Sequence, residues 1–330
     1  RLRILNWTAY IDPSEGGATG TVERFETATG IDIEYSEDLN DNEEVFKHVF
    51  ESLGSGTAPE YDIACPTNWM AARLKRLGLI EPLPLDLIRN AANLDPRLRD
   101  VAWDPGAGFN LPWQVGITGI AFNLAKAGRA LSSINDLFDP AFAGEVALFT
   151  DMRDTVGLVM LGMGADPSIV DEVGMTAALD KIEGAVSSGQ IRSFAGNEYI
   201  DGLNNGNLVA CVAWSGDIAA AVTNPDVVFI VPAEGGMLWY DTMVVLKGSP
   251  NVESAASWMN FVYDPVQAAQ ITAYVQYVSP VVGVRDQLVA LGGDAAVLAD
   301  SPYLFPSDEV APLKVFADMP DDLEAAMTQE

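Results

Sequence analysis

The chain has little of what redox, metal and histidine chemistry need: two cysteines and one histidine among 330 residues. Zinc takes about four N, S or O ligands, normally with a closely spaced Cys/His pair. Cys65 and Cys211 are far apart, and His48 stands alone in a run, 43–53, that reads as a helix. No metal site and no cofactor is expected. Each cysteine sits in an apolar run, where a buried free thiol is the expected state rather than a disulfide. Long hydrophobic runs are also missing: Asp, Glu, Pro or Gly interrupts every apolar stretch before the roughly 18 residues of a membrane span, although the mean hydropathy is +0.14. Positive charge is scarce, with 18 Lys and Arg against 47 Asp and Glu and a net charge of −29. Nucleic-acid binding needs clustered cations and is excluded as an expectation. The acidity favours cationic ligands, but solubility and salt tolerance explain most of it.

Motifs of enzyme chemistry are missing too. No Gly-x-Gly-x-x-Gly follows a strand, and neither a Walker-type loop nor a Gly-x-Ser-x-Gly elbow occurs; Gly162-Met163-Gly164 lacks the rest of a nucleotide fingerprint. A single helical histidine disfavours Ser-His and Cys-His devices. The segment Asp38-Leu39-Asn40-Asp41-Asn42-Glu43 starts like a calcium loop, but Glu43 takes the place of the required Gly and Val49 that of the bidentate Glu. It reads instead as a helix start capped by Asp41 or Asn42. Paired acids such as Asp151 and Asp154 could do acid–base work, but such pairs are common in so acidic a chain, and no enzyme is expected. The chain opens on Arg1-Leu2-Arg3-Ile4-Leu5 without a signal-peptide pattern and is read as already processed.

What is present is alternation. Strands are expected at 2–7, 31–35, 61–65, 119–123, 145–149, 208–213, 226–231 and 242–246, with helices at 20–29, 43–53, 155–163, 176–187, 252–262 and 265–275. Such alternation means α/β layers around a largely parallel sheet, and the length suits about two domains. The strands fall into groups before and after residue 112, without a flexible linker between them. Pro105, Gly106, Gly108, Pro112, Gly116 and Gly119 look like structured turns and strand, so two lobes joined by crossing strands are expected.

Ligands of open α/β sheets bind beyond the carboxyl ends of strands. There the chain places Asn6-Trp7-Thr8-Ala9-Tyr10-Ile11, Pro66-Thr67-Asn68-Trp69 and Trp214-Ser215-Gly216-Asp217, while Glu234-Gly235-Gly236-Met237-Leu238-Trp239-Tyr240-Asp241 precedes a strand. Aromatic rings cover methylenes and attract ammonium groups by about 0.5–2 kcal/mol each, and desolvated carboxylates add charge-assisted hydrogen bonds. A flexible cation alternating methylenes with ammonium groups, the pattern of a polyamine, fits this combination.

These segments also resemble the periplasmic spermidine/putrescine-binding proteins of polyamine ABC transporters. The likeness runs over nearly the whole chain, through Gly119-Ile120-Ala121-Phe122-Asn123, Trp214-Ser215-Gly216-Asp217, Pro232 to Asp241, Met243 to Asn251, Met259-Asn260-Phe261, Asp264-Pro265 and Tyr277-Val278-Ser279-Pro280. It implies a two-lobed α/β fold of the type II, Venus-flytrap kind with an interlobe ligand cleft. The lobes would be 1–113 with 241–283 and 117–238 with 286–330, with hinges near 112–118 and 238–243. The implied ligand contacts are Trp7, Thr8, Tyr10, Thr67 and Trp69 on one side, Asp151 and Asp154 for a terminal amine, Trp214, Trp239 and Tyr277 as walls, and Asp217 and Asp241 as amine-binding carboxylates. The implied function is capture of putrescine or spermidine by a monomer, held in the periplasm or by a lipid anchor, for a membrane permease.

Plainer roles stand beside these. Asp217 could cap a helix at 218–222, Asp154 a helix beginning at Thr155, and Thr67 the helix after Pro66. Trp103 and Trp258 read as packing, and Trp113 as either packing or cleft. Departures from the family are Ala9, Thr67, Trp69 and Ile117, and the segment after Tyr303 matches poorly. Another small cationic solute, a sensing role, or an enzyme acting on a cation are the competing readings.

Overall fold

A computed structural model of the chain describes residues 1–39, 42–196, 198–305, 312–320 and 323. Asn40 and Asp41 of the acidic segment, and with them the expected Asp41 cap, lie outside the described residues. The fold is α/β, and the chain divides into two compact units, Arg1–Val115 with Tyr240–Phe305 and Gly116–Trp239 with Pro306–Glu330.

The first unit opens with β1 (Leu2–Trp7), α1 (Thr21–Thr29), β2 (Ile33–Leu39), α2 (Asn42–Ser55), β3 (Ile63–Ala64), α3 (Asn68–Arg76) and β4 (Ile80–Glu81). β1 pairs in parallel with β2, Leu2 opposite Ile33, and with β3, Ile4 opposite Ile63. Parallel neighbours need a crossover, which α1 and α2 supply. Helix α1 ends at Gly30, whose φ of 72° is the left-handed conformation that glycine adopts without a Cβ penalty. A short helix α4 (Pro96–Arg99) and the hairpin β5 (Asp100–Val101) and β6 (Asp104–Pro105) follow.

Strand β7 (Leu111–Asn123), buried along all its 13 residues, carries the chain into the second unit. There follow α5 (Leu124–Ala127), β8 (Val146–Phe149), α6 (Met152–Gly162), α7 (Glu172–Ser187), β9 (Ile191–Ala195), α8 (Tyr199–Asn204), β10 (Ala210–Trp214), α9 (Ser215–Ala221) and β11 (Val227–Ile230). In this unit β10 lies between β7, antiparallel to it, and β8, parallel to it, and β9 extends the sheet beyond β8. Strand β12 (Gly236–Leu246) returns the chain to the first unit, where Val244 and Val245 pair with β3. Its length corrects one expectation: Trp239 and Asp241 lie within this strand and not in a loop ahead of it.

Helices α10 (Val252–Val262), α11 (Pro265–Val275), α12 (Val284–Leu291) and α13 (Gly293–Leu298) complete the first unit. Asp264 caps α11 by accepting from the Val266 N–H, with Pro265 in the first turn, where its missing N–H costs nothing. Residues 286–305 thus belong to the first unit, where the expectation put them in the second. Val284 and Leu288 are buried in α12, which packs on α11. In the second unit β13 (Leu313–Lys314) pairs with the start of β12.

Leu5, Leu39, Val45, Ala64, Met70, Leu74, Val244 and Leu246 form a core in the first unit, and Trp7, Trp69 and Trp103 pack on it. Trp113 and Trp258 are both packing residues: they are buried, with rings stacked at 6.4 Å. Cys65 and Cys211 are buried free thiols, and His48 is a half-buried helix residue 3.2 Å from Glu60.

Just before β3, Asp62 is fully buried and accepts from the Arg3 N–H (2.9 Å), the Ser249 hydroxyl (2.7 Å) and the Asn251 amide (3.1 Å). It ties β1 and the turn after β12 to β3. Removing the carboxylate orphans three donors, so Asp62→Ala should cost about 2–4 kcal/mol of first-unit stability. Urea unfolding followed by circular dichroism checks this; a loss below about 1 kcal/mol would mean that water takes over the three donors.

Candidate functional site

Apart from Asp62, which the Arg3 guanidinium also approaches at 3.6 Å, each unit holds, among the described residues, one buried aspartate whose two oxygens both accept from neutral groups. In the first unit this is Asp241 on β12, 5% exposed. Its Oδ1 accepts from the Thr67 hydroxyl and its Oδ2 from the Tyr10 hydroxyl, both at 2.8 Å. Thr67 stands at the N-cap of α3 with extended backbone, but its hydroxyl makes no capping bond. The expected alternative, a Thr67 serving the helix, therefore holds for its backbone and not for its side chain. Asn42, in the first turn of α2, fixes Thr67 twice: its Oδ1 accepts from the Thr67 N–H (2.8 Å) and its Nδ2 donates to Oγ1 (3.1 Å).

Tyr10 reaches Asp241 from the loop after β1. That loop turns at Ala9, whose φ of 56° is left-handed, a strained choice for a residue with a Cβ. The Tyr10 ring is buried, meets Tyr277 edge-on at 5.9 Å, and its backbone carbonyl accepts from the Trp113 indole at 3.2 Å. Trp7 donates its indole N–H to the Cys65 carbonyl at 2.8 Å. The exposed Thr8 turns its hydroxyl to the Glu37 carbonyl. Tyr10, Thr67, Asp241 and Tyr277 thus come together; Trp7 and Trp69 border the core of the same unit, and Thr8 is engaged elsewhere.

In the second unit the carboxylate is Asp154, 6% exposed. Its Oδ1 accepts from the Thr118 hydroxyl (2.8 Å) and its Oδ2 from the Trp214 indole (2.7 Å). The expectation that Asp154 caps a helix starting at Thr155 is corrected: α6 begins at Met152, and Asp151 is the cap, accepting from the Arg153 and Asp154 N–H groups. Asp154 falls in the first turn, where the helix dipole favours a negative charge, and its side chain is released for Trp214 and Thr118. Asp151, expected to take a terminal amine, spends Oδ1 on the helix end.

Trp214 closes β10 and lies 4.2 Å from Phe149 and 6.2 Å from Trp239, ring centre to ring centre, the latter at 76°. Trp239 donates its indole N–H to the Thr118 hydroxyl at 3.1 Å. Asp217 lies inside α9, whose N-cap position Trp214 holds, and the Asp217 carboxylate accepts from the Tyr199 hydroxyl at 2.8 Å. The sequence reading missed Thr118, Asn42 and Tyr199. A lone threonine within the apolar run of β7 was the available signal for the first.

Burial pushes Asp241 up to about 7, against the opposing pull of the Thr67 and Tyr10 hydrogen bonds. Burial likewise pushes Asp154 to about 7, with repulsion from Asp151 added and the Trp214 and Thr118 bonds opposing. Burial and the nearby Asp241 hold the Tyr10 phenol well above its usual range, so it stays a donor. Each carboxylate oxygen has room for a second hydrogen bond, and the donors among the described residues are neutral hydroxyl and indole groups. A carboxylate held this way keeps acceptor capacity, and such a cluster is able to accept a cation beside aromatic rings.

This is the chemistry of a binding protein for small solutes, and comparison with known proteins assigns the family. The model of the bacterial extracellular solute-binding proteins matches residues 20–299, and the chain belongs to that family. It is 26% identical over 316 residues to the spermidine/putrescine-binding periplasmic protein of Escherichia coli K12, covering 93% of this chain and 84% of that protein. It is 27% identical to the putrescine-binding periplasmic protein SpuD of Pseudomonas aeruginosa, covering 99% and 90%. The solved structure of the spermidine/putrescine ABC transporter substrate-binding protein PotD from Streptococcus pneumoniae superposes with a TM-score of 0.84 at 26% identity, covering 99% of this chain and 96% of that one.

The raised carboxyls make unliganded stability depend on pH with a definite sign. Between the unfolded aspartate range near about 4 and about 7, the folded chain binds more protons at Asp154 and Asp241 than the unfolded chain does. Their contribution therefore falls as pH rises through that window and is fully lost above it. Asp154→Asn with Asp241→Asn should flatten this slope, measured by urea unfolding at a series of pH values. Parallel curves for variant and wild type would refute the assignment.

Proposed function

We propose that this protein is an extracytoplasmic solute-binding protein that captures a polyamine, putrescine or spermidine, for delivery to an ABC importer, without chemical turnover. The observation that carries this reading is the recurrence in each unit of a buried carboxylate held by neutral hydroxyl or indole donors among aromatic side chains: Asp241 with Tyr10 and Tyr277, Asp154 with Trp214 and Trp239. Ammonium groups supply the missing charge, and the rings suit the methylenes between them. The names of the relatives support the same ligand class. Asp241 and Asp154 are the ammonium-accepting groups in this reading, and Trp214, Trp239 and Tyr277 the apolar walls. Trp7 and Trp69 serve as further walls, with Thr8, Asp151 and Asp217 at the margins. The protein works outside the cytoplasmic membrane, as a monomer.

An ammonium group binds the ionised carboxylate, so ligand must expel any proton held there. Below about 7, binding should weaken as pH falls and should release protons, visible as a buffer-dependent heat. Well above it, the release should vanish. Calorimetric titration of ligand-free protein with putrescine, spermidine and spermine is expected to give micromolar or tighter binding to at least one. Asp241→Ala should weaken binding by about 2–5 kcal/mol, thirtyfold or more, because it strands a desolvated ammonium. Folded wild-type protein that gives no heat with any of the three overturns the polyamine reading; a variant within threefold of wild type removes Asp241 from the site.

A further inference from the structure

Strand β7 presents two successive residues of one face, Gly116 and Thr118, to the Trp239 ring. A Cβ on Gly116 would lie 2.1 Å from Cζ2 of Trp239, so only glycine lets the indole rest against the backbone. Two residues on, the fully buried Thr118 hydroxyl accepts from the Trp239 indole N–H and donates to Asp154. The polarity is forced: an indole N–H can only donate and an ionised carboxylate can only accept, so the hydroxyl must point its single proton at Asp154. The result is a directed chain, Trp239 to Thr118 to Asp154, ending on the carboxylate that Trp214 holds from its other side. Hydrogen bonds in such a chain polarise one another.

We propose that Thr118 is a positioning residue that couples the Trp239 ring to the Asp154 carboxylate, so that wall and anion answer a bound cation together. The proposal builds on the cation-binding reading of this cluster, but its central test needs no ligand. Of the charged groups around Asp154, Asp151 repels its charge and Arg153 attracts it, both from the start of α6. The groups on it from β7 and β10 are the neutral Thr118 and Trp214, and Asp217 of α9 is engaged by Tyr199.

The experiment follows the indole N–H signals of 15N-tryptophan-labelled protein through a pH titration, with Trp214→Phe and Trp239→Phe to assign the two signals. In the wild type, the Trp214 and Trp239 signals should move with one shared midpoint as Asp154 titrates. In Thr118→Val, which keeps the shape and removes the hydroxyl, the Trp239 signal should shift to that of an unbonded indole and cease to respond. The Trp214 signal should still titrate, at a higher midpoint. Thr118→Ser should restore both behaviours. Should the valine variant not fold, Asp154→Asn on the native Thr118 background should silence the pH response of Trp239 by itself. Spermidine affinity should fall about tenfold to a hundredfold in Thr118→Val, the loss expected for a hydrogen bond to a charged group, and recover in Thr118→Ser. A Trp239 signal that ignores pH in the wild type, or that titrates unchanged without the hydroxyl or without the carboxylate, overturns the coupling. Absence of spermidine binding by the wild type rejects the ligand and leaves the coupling to be judged on the titration.

Discussion

Two desolvated carboxylates organise this protein. Removing an aspartate from water costs several kcal/mol unless hydrogen bonds replace the lost hydration, and each unit answers that cost with a pair of neutral donors. Hydroxyl and indole groups stabilise the anion without cancelling its charge, whereas a lysine or arginine would have done both. The consequence is a group poised between protonated and ionised forms near neutrality, a state that a cation resolves and that an internal ion pair would have removed. Lys75 with Asp104 offers the contrast within the same chain: there a buried aspartate is given an internal cation at 2.7 Å, and the pair serves structure.

The fold delivers the donors from places far apart in sequence. Asp241 is met by Tyr10 from the loop after the first strand and by Thr67 from a helix start. Asp154 sits in the first turn of the helix after β8 and is met by Thr118 from β7 and Trp214 from the end of β10. Trp214 at a strand end and Thr67 and Asp154 at helix N-termini stand where α/β sheets leave side chains free and backbone dipoles favour negative charge, while Thr118 and Asp241 come from within β7 and β12. Asp151 matters in this scheme even though its own oxygen is spent on backbone N–H groups: by starting α6 at Met152 it places Asp154 in the first turn.

Much of this was legible before any coordinates. The periodicity switch between short apolar runs and amphipathic stretches declared an α/β chain, and the absence of a linker near residue 112 pointed to crossing strands. Trp214, Trp239 and Asp241 stood out because a large ring or a charge at a strand end has no routine packing role. Residues less distinctive in type were harder to place. Thr118 fell unremarked in the expected hinge segment 112–118, while Asn42 looked like a cap and Asp154 like a helix start, the local roles such residues play in most proteins. Strand lengths were underestimated where burial is complete, as in β7, since a strand buried on both faces loses the alternation that marks its extent.

The sequence by itself determined the class of the fold, the acidic character, the lack of metal and nucleophile motifs, and the recurrence of aromatics close to acids along the chain. These are local or compositional properties, written in spacing and residue type. Tertiary structure alone decided which of the many acids are buried, that Asp217 is bonded to Tyr199 and Asp151 to a helix end, that α12 and α13 pack with the first unit, and that Thr118 lies between Trp239 and Asp154. The physical reason is that desolvation and hydrogen-bond partnership depend on atoms brought within about 3 Å, here from segments as distant as Tyr10 and Asp241. No periodicity in the chain encodes that distance.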